Sequence, residues 1–151
     1  MGAATVLMAT TLELPENAVG IVADCGYTSP SAIVKKVLRD RHLPMFPTYA
    51  LLRLGGRLYG GFDLEAASAV SAMEQCEIPV LFIHGEDDRF VPCDMGRENY
   101  AHCCSSKRAL LTIPSAGHGM SYMVDKSKYL HTQSRFSSSR FLLRPVHARD
   151  V

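Results

Sequence analysis

Three short apolar runs, each breaking off into a loop, constrain this chain most: residues 19–23 (VGIVA), 79–84 (PVLFIH) and 108–113 (RALLTI). A continuous apolar run of about four to eight residues suits a strand covered on both faces, because neither side chain row then meets water. The stretches between the runs are long enough for crossover helices. Strand, helix and strand in alternation predict parallel βαβ units, and so an α/β protein.

The helices are legible from caps and spacing. Ser29-Pro30-Ser31 is a helix-start signal, followed by Ile33, Val34, Val37 and Leu38 on one face. Further helices are expected over 2–11, 65–75 and 94–104. The texture changes at 42–62, where Pro44 and Pro47 precede a helical pattern over 49–58 and Gly55, Gly56, Gly60 and Gly61 close it. This reads as a small cap-like insert in a domain spanning 1–130. Residues 131–151 mix serines with Arg135, Arg140, Arg144 and Arg149, and are expected to form an atypical tail without regular structure.

Composition excludes several classes. A hydrophobic fraction of 47% with 21% charged residues is that of a globular chain, and a net charge of +1 offers nothing for nucleic acid to bind. No run is long enough to span a bilayer, and residues 1–10 lack the charged start of a secretory signal. The five cysteines, Cys25, Cys76, Cys93, Cys103 and Cys104, form no C-x-x-C pair. They are expected to be reduced and to bind no metal, which fits a cytoplasmic setting.

Chemistry concentrates in two loops. His84-Gly85-Glu86-Asp87-Asp88-Arg89-Phe90-Val91-Pro92 leaves the second strand, and Ala116-Gly117-His118-Gly119 follows the third. In open parallel sheets, ligands gather outside the carboxyl ends of the strands, so both loops should border one crevice. A carboxylate there can orient an imidazole, which then takes a proton from a nucleophile. Asp88 and His118 are the candidates, with Asp87 and Asp24 as rival acids. A metal-dependent alternative would use His84, Asp88 and His118. Ser121 is not expected to act as a nucleophile, since nothing places it on a sharp turn.

These motifs resemble those of α/β-hydrolases. H-G-E-D-D-R-F-V-P is similar to the family's acid loop and maps the acid onto Asp88. A-G-H-G is similar to its base loop and maps the base onto His118. Met1-Gly2-Ala3-Ala4 resembles the second half of the nucleophile elbow, with the serine standing just before Met1. The resemblance implies the C-terminal part of an α/β-hydrolase fold: parallel strands, flanking helices and a small helical cap insert, without the N-terminal strands. It implies a serine hydrolase of the esterase or peptidase kind acting on a small-molecule ester or amide, with no cofactor. The backbone N–H of Met1 becomes an oxyanion-hole candidate, and Tyr27, Thr28, Phe46 and Tyr49, with Leu51 and Leu52, become candidate pocket residues. Without its nucleophile the chain is expected to be inactive alone. It is expected to pair through an exposed sheet edge with a complementing N-terminal half or with itself. The competing reading is a non-catalytic, truncated hydrolase-derived interaction module or a decayed gene product.

Overall fold

A computed structural model describes residues 1–138. Its centre is a parallel sheet in the order β1-β2-β3, with β1 at Ile21–Asp24, β2 at Val80–Gly85 and β3 at Arg108–Ile113. Val22 lies beside Leu81, and Phe82 beside Leu110. All of β2 is buried, as its unbroken apolar run requires.

The pleat sends alternate β2 side chains to opposite faces. Val80 and Phe82 meet α1 (Gly2–Met8), α4 (Ala69–Met73) and the end of α5 (Cys93–His102) through Leu7, Ala69, Ala72, Met73 and Cys103. Leu81 and Ile83 meet Leu111, Ile113, Ala116 and Phe136 of α7 (Lys126–Ser138) on the other face. Helices thus cover both faces, with the short α6 (Ser121–Val124) leading into α7.

Helix α2 (Pro30–Asp40) starts where the sequence signals it. The Ser29 hydroxyl accepts the Ala32 N–H at 3.1 Å, and Pro30 stands in the first turn. The insert forms α3 (Met45–Tyr59), packed on α2 and tied down by charge. Arg53 meets Asp63 at 2.8 Å, Arg57 also pairs with Asp63, and Glu65 accepts from Lys35 at 3.0 Å and from the Tyr49 hydroxyl at 2.5 Å.

Two expectations are corrected. The helix read over 65–75 is only Ala69–Met73, because the Ser68 hydroxyl caps it by accepting the Ser71 N–H and Glu65 is drawn away to Lys35. The tail is helical through Ser138: Tyr129 and Phe136, two turns apart, lay one face of α7 on the β3 side of the core. The remainder of the tail reading, 139–151, lies outside the described residues. The exposed sheet edge is present but short. No strand among the described residues pairs with the outer side of the four-residue β1, where Val22 is 38% exposed.

Candidate active site

The acid loop is built by the end of β2. The Glu86 N–H donates to the Ile113 carbonyl and the Asp87 N–H to the Ala116 carbonyl, each at 3.0 Å, so the loops after β2 and β3 are stitched together. Gly85 makes this possible: a Cβ there would stand 2.3 Å from the Ala116 oxygen. Asp88 is pulled inward, its side chain fully buried. Its Oδ1 accepts the N–H groups of Phe90 at 2.9 Å and Val91 at 2.8 Å.

The other carboxylate oxygen faces His118. His118 Nδ1 lies 2.7 Å from Asp88 Oδ2. A carboxylate can only accept, so Nδ1 carries the proton of this contact, and Nε2 is the lone-pair nitrogen whenever the ring is neutral. The His118 side chain is 39% exposed, and the edge of Phe90 meets it at a centroid distance of 5.1 Å. The arrangement is that of a proton acceptor held by a buried anion and open on one side.

The rivals are placed elsewhere. Asp87 and Glu86 are exposed, and Asp24 accepts the Cys25 thiol at 3.1 Å. His84 is buried behind the acid, with Nε2 donating to the Val91 carbonyl at 2.9 Å and lying 3.5 Å from Asp88 Oδ2. It supports the acid loop from beneath. Ser121 is fully buried at the start of α6.

One neighbour escaped the sequence reading. Cys25 extends β1, its N–H donating to the Ile83 carbonyl at 2.9 Å, and its φ of 57° turns the chain sharply. Its Sγ accepts the Gly119 N–H at 3.3 Å. Ligand-type atoms of Cys25, Asp88 and His118 all lie within 4.8 Å of one another. Burial pushes the thiol up to about 12, so it is protonated at neutral pH and is no nucleophile. Nothing local in a lone strand-end cysteine announces this position; only the crossing of the three strand ends creates it.

Beside the pair, an apolar cavity of about 570 Å³ is lined by Met1, Tyr27, Ile33, Val34, Leu52 and Phe90, among others. That volume suits a small-molecule ligand. Phe90 joins the cavity to His118, since it touches both. Tyr27 and Leu52, two of the candidate pocket residues, thus line this cavity, as does Met1. Thr28, Phe46 and Tyr49 do not join them. Thr28 lines a separate polar groove with Ser29 and Ser31, Phe46 is 82% exposed, and Tyr49 is spent on Glu65.

No protein-family model matches the chain. It is 27% identical over 137 residues to the Bacillus subtilis (strain 168) protein YqkD, itself described as uncharacterized; the match covers 90% of this chain and 45% of that one. The chain thus spans less than half the length of this relative. Among solved structures it is similar to a Paleococcus ferrophilus monoacylglycerol lipase, with a TM-score of 0.60, 16% identity and coverage of 93% of this chain and 64% of the lipase. A Pyrococcus furiosus esterase aligns with a TM-score of 0.59 and 18% identity over 89% of this chain and 49% of the esterase. A Pyrococcus horikoshii acylaminoacyl peptidase aligns with a TM-score of 0.60 and 15% identity over 99% of this chain and 24% of the peptidase. Parallel strands, flanking helices and these neighbours together identify the chain as part of an α/β-hydrolase fold.

Proposed function

We propose that Asp88 and His118 are the acid and base of a serine hydrolase that cleaves ester or amide bonds, its nucleophilic hydroxyl supplied by a residue preceding Met1 in a longer protein. The observation that carries this reading is the 2.7 Å contact between a buried carboxylate and a half-exposed imidazole. In the proposed reaction, Nε2 of His118 takes the serine proton as the oxygen bonds to the substrate carbonyl carbon. The imidazolium, stabilised by Asp88, then returns the proton to the departing alcohol or amine. Water, activated by the same nitrogen, releases the acid product and regenerates the serine.

Two placements support the reading. Met1 opens α1 at the lip of the apolar cavity, so a residue before it would stand near both cavity and base. Its backbone N–H is the proposed oxyanion donor. The outer side of β1 offers an edge on which the nucleophile's strand would pair, which is also the proposed route to a complementing segment or to self-association.

Fluorophosphonate labelling tests the proposal. The chain alone should not be labelled, since loss of a triad nucleophile typically costs about 10⁶-fold in rate. A form extended upstream to include an in-frame G-x-S should be labelled on that serine, and His118→Gln should abolish labelling. Labelling of the extended form that survives His118→Gln would defeat the assignment. A coding sequence with no upstream G-x-S, together with an unlabelled protein, would favour a non-catalytic module.

A further inference from the structure

Beneath the Asp–His pair lies a third group that proton transfer does not use. Cys25 Sγ, an Asp88 carboxylate oxygen and a His118 ring nitrogen converge to within 4.8 Å of one another. Thiolate, imidazole and carboxylate are the three ligand types that zinc accepts, at about 2.3 Å for sulfur and about 2.0–2.2 Å for nitrogen and oxygen. A tetrahedral ion with such bonds holds its ligand atoms roughly 3.3–3.7 Å apart. The contact of 2.7 Å between Asp88 and His118 must therefore open by roughly 0.6 Å or more, and the sulfur must draw in. His118 can supply that movement, because it is 39% exposed and sits on a loop between Gly117 and Gly119. Asp88 and Cys25 are held more firmly, the first by two backbone N–H groups and the second at the end of a paired strand.

We propose that Cys25, Asp88 and His118 form a binding site for a soft divalent cation of the zinc type, with water in the fourth position, and that the ion switches the acid–base pair off. Binding proceeds with a definite proton balance. The Cys25 thiol loses its proton to solvent as the sulfur–metal bond forms, because a metal ion deprotonates a coordinating thiol outright. The His118 proton leaves Nδ1, which becomes the ligand, and solvent returns a proton to Nε2. One proton is released per ion. The ring is then in the wrong tautomer: Nε2 carries a hydrogen and cannot accept one from a nucleophile. Binding does not depend on the hydrolase reading; only the inhibitory consequence does.

The test uses this chain as it stands. Zinc is titrated against a chromophoric chelator, and cadmium binding is followed by its thiolate charge-transfer absorption. One ion per chain is expected, with the charge-transfer band present. Cys25→Ala should remove the band, and both Cys25→Ala and His118→Ala should weaken zinc binding by more than the roughly 10–100-fold typical of losing an outer-shell partner. Cys104→Ser, which alters an exposed cysteine remote from the site, should change neither. If Cys25→Ala melts early without metal, His118→Ala decides, since its side chain is part-exposed. Zinc affinity unchanged in His118→Ala, or a cadmium band that persists in Cys25→Ala, overturns the proposal.

Discussion

His118 Nδ1 sits 2.7 Å from the one Asp88 oxygen that the backbone leaves free, while the N–H groups of Phe90 and Val91 occupy the other. Asp88 is thus held by its own loop independently of His118. Asp88→Asn keeps the shape but offers an amide that can donate to Nδ1, turning the ring to the wrong tautomer. Where the analogous change was made in a Ser-His-Asp triad, turnover fell about 10⁴-fold, and a comparable loss is expected in an extended, active form. Asp88→Ala instead strands the N–H donors of Phe90 and Val91, the second of them buried. Urea denaturation of this chain should show it less stable by about 2–4 kcal/mol.

Gly85 sets the distance between the two loops. Gly85→Ala would drive a methyl into the Ala116 carbonyl, which is backbone and cannot rotate away. Overpacking of this kind costs about 1–3 kcal/mol. The expected result is a lower urea midpoint together with a displaced His118 ring resonance. An unchanged midpoint and an unchanged resonance would show that the loops are not coupled through this contact.

The buried thiols make alkaline pH the destabilising direction. Burial pushes Cys25 up to about 12 and Cys76 up to about 11 from an ordinary 9.0, and raises Cys93 and Cys103 as well. A raised folded-state value means that the folded chain holds its proton longer than the unfolded one. The stability it contributes is complete below pH 9.0 and is lost as pH rises towards 11 and 12. Urea midpoints should fall steadily above pH 9, and less steeply in Cys25→Ala.

The insert responds to acid instead. Hydrogen bonds from Arg53, then from Arg57, hold the Asp63 carboxyl well below the usual carboxylate range. A depressed value contributes stability above the ordinary carboxylate range and loses it as pH falls through the folded value. Limited proteolysis within 42–62 should therefore be slow at neutral pH and accelerate only below about pH 4. Asp63→Asn should give fast cleavage at neutral pH as well.

The sheet was legible because β2 and β3 are continuous apolar runs with no competing period, and the acid and base loops begin where those runs stop. α2 was legible from its cap, Ser29-Pro30. α4 was overextended because Glu65–Ala67 has good helix formers, whose preference loses to the Ser68 cap and to the pull of Lys35 on Glu65. Residues 131–138 were misread because the apolar residues that lay α7 on the core, Tyr129 and Phe136, are too sparse a stripe to register as periodic. Tyr49 read as a pocket residue from its aromatic character, yet its hydroxyl is the third member of the Lys35–Glu65 pair. Cys25 lay beyond reach, since its position beside Asp88 and His118 arises from strand ends separated by many residues.

The most direct check is nitrogen-edited proton NMR of the His118 ring in this chain at neutral pH, with Asp88→Asn as the reference. The structure predicts a slowly exchanging proton on Nδ1, shifted far downfield by the Asp88 carboxylate; in Asp88→Asn that downfield signal disappears. A wild-type ring with no proton on Nδ1, or one indifferent to the change at Asp88, would contradict the pairing on which the proposed chemistry depends.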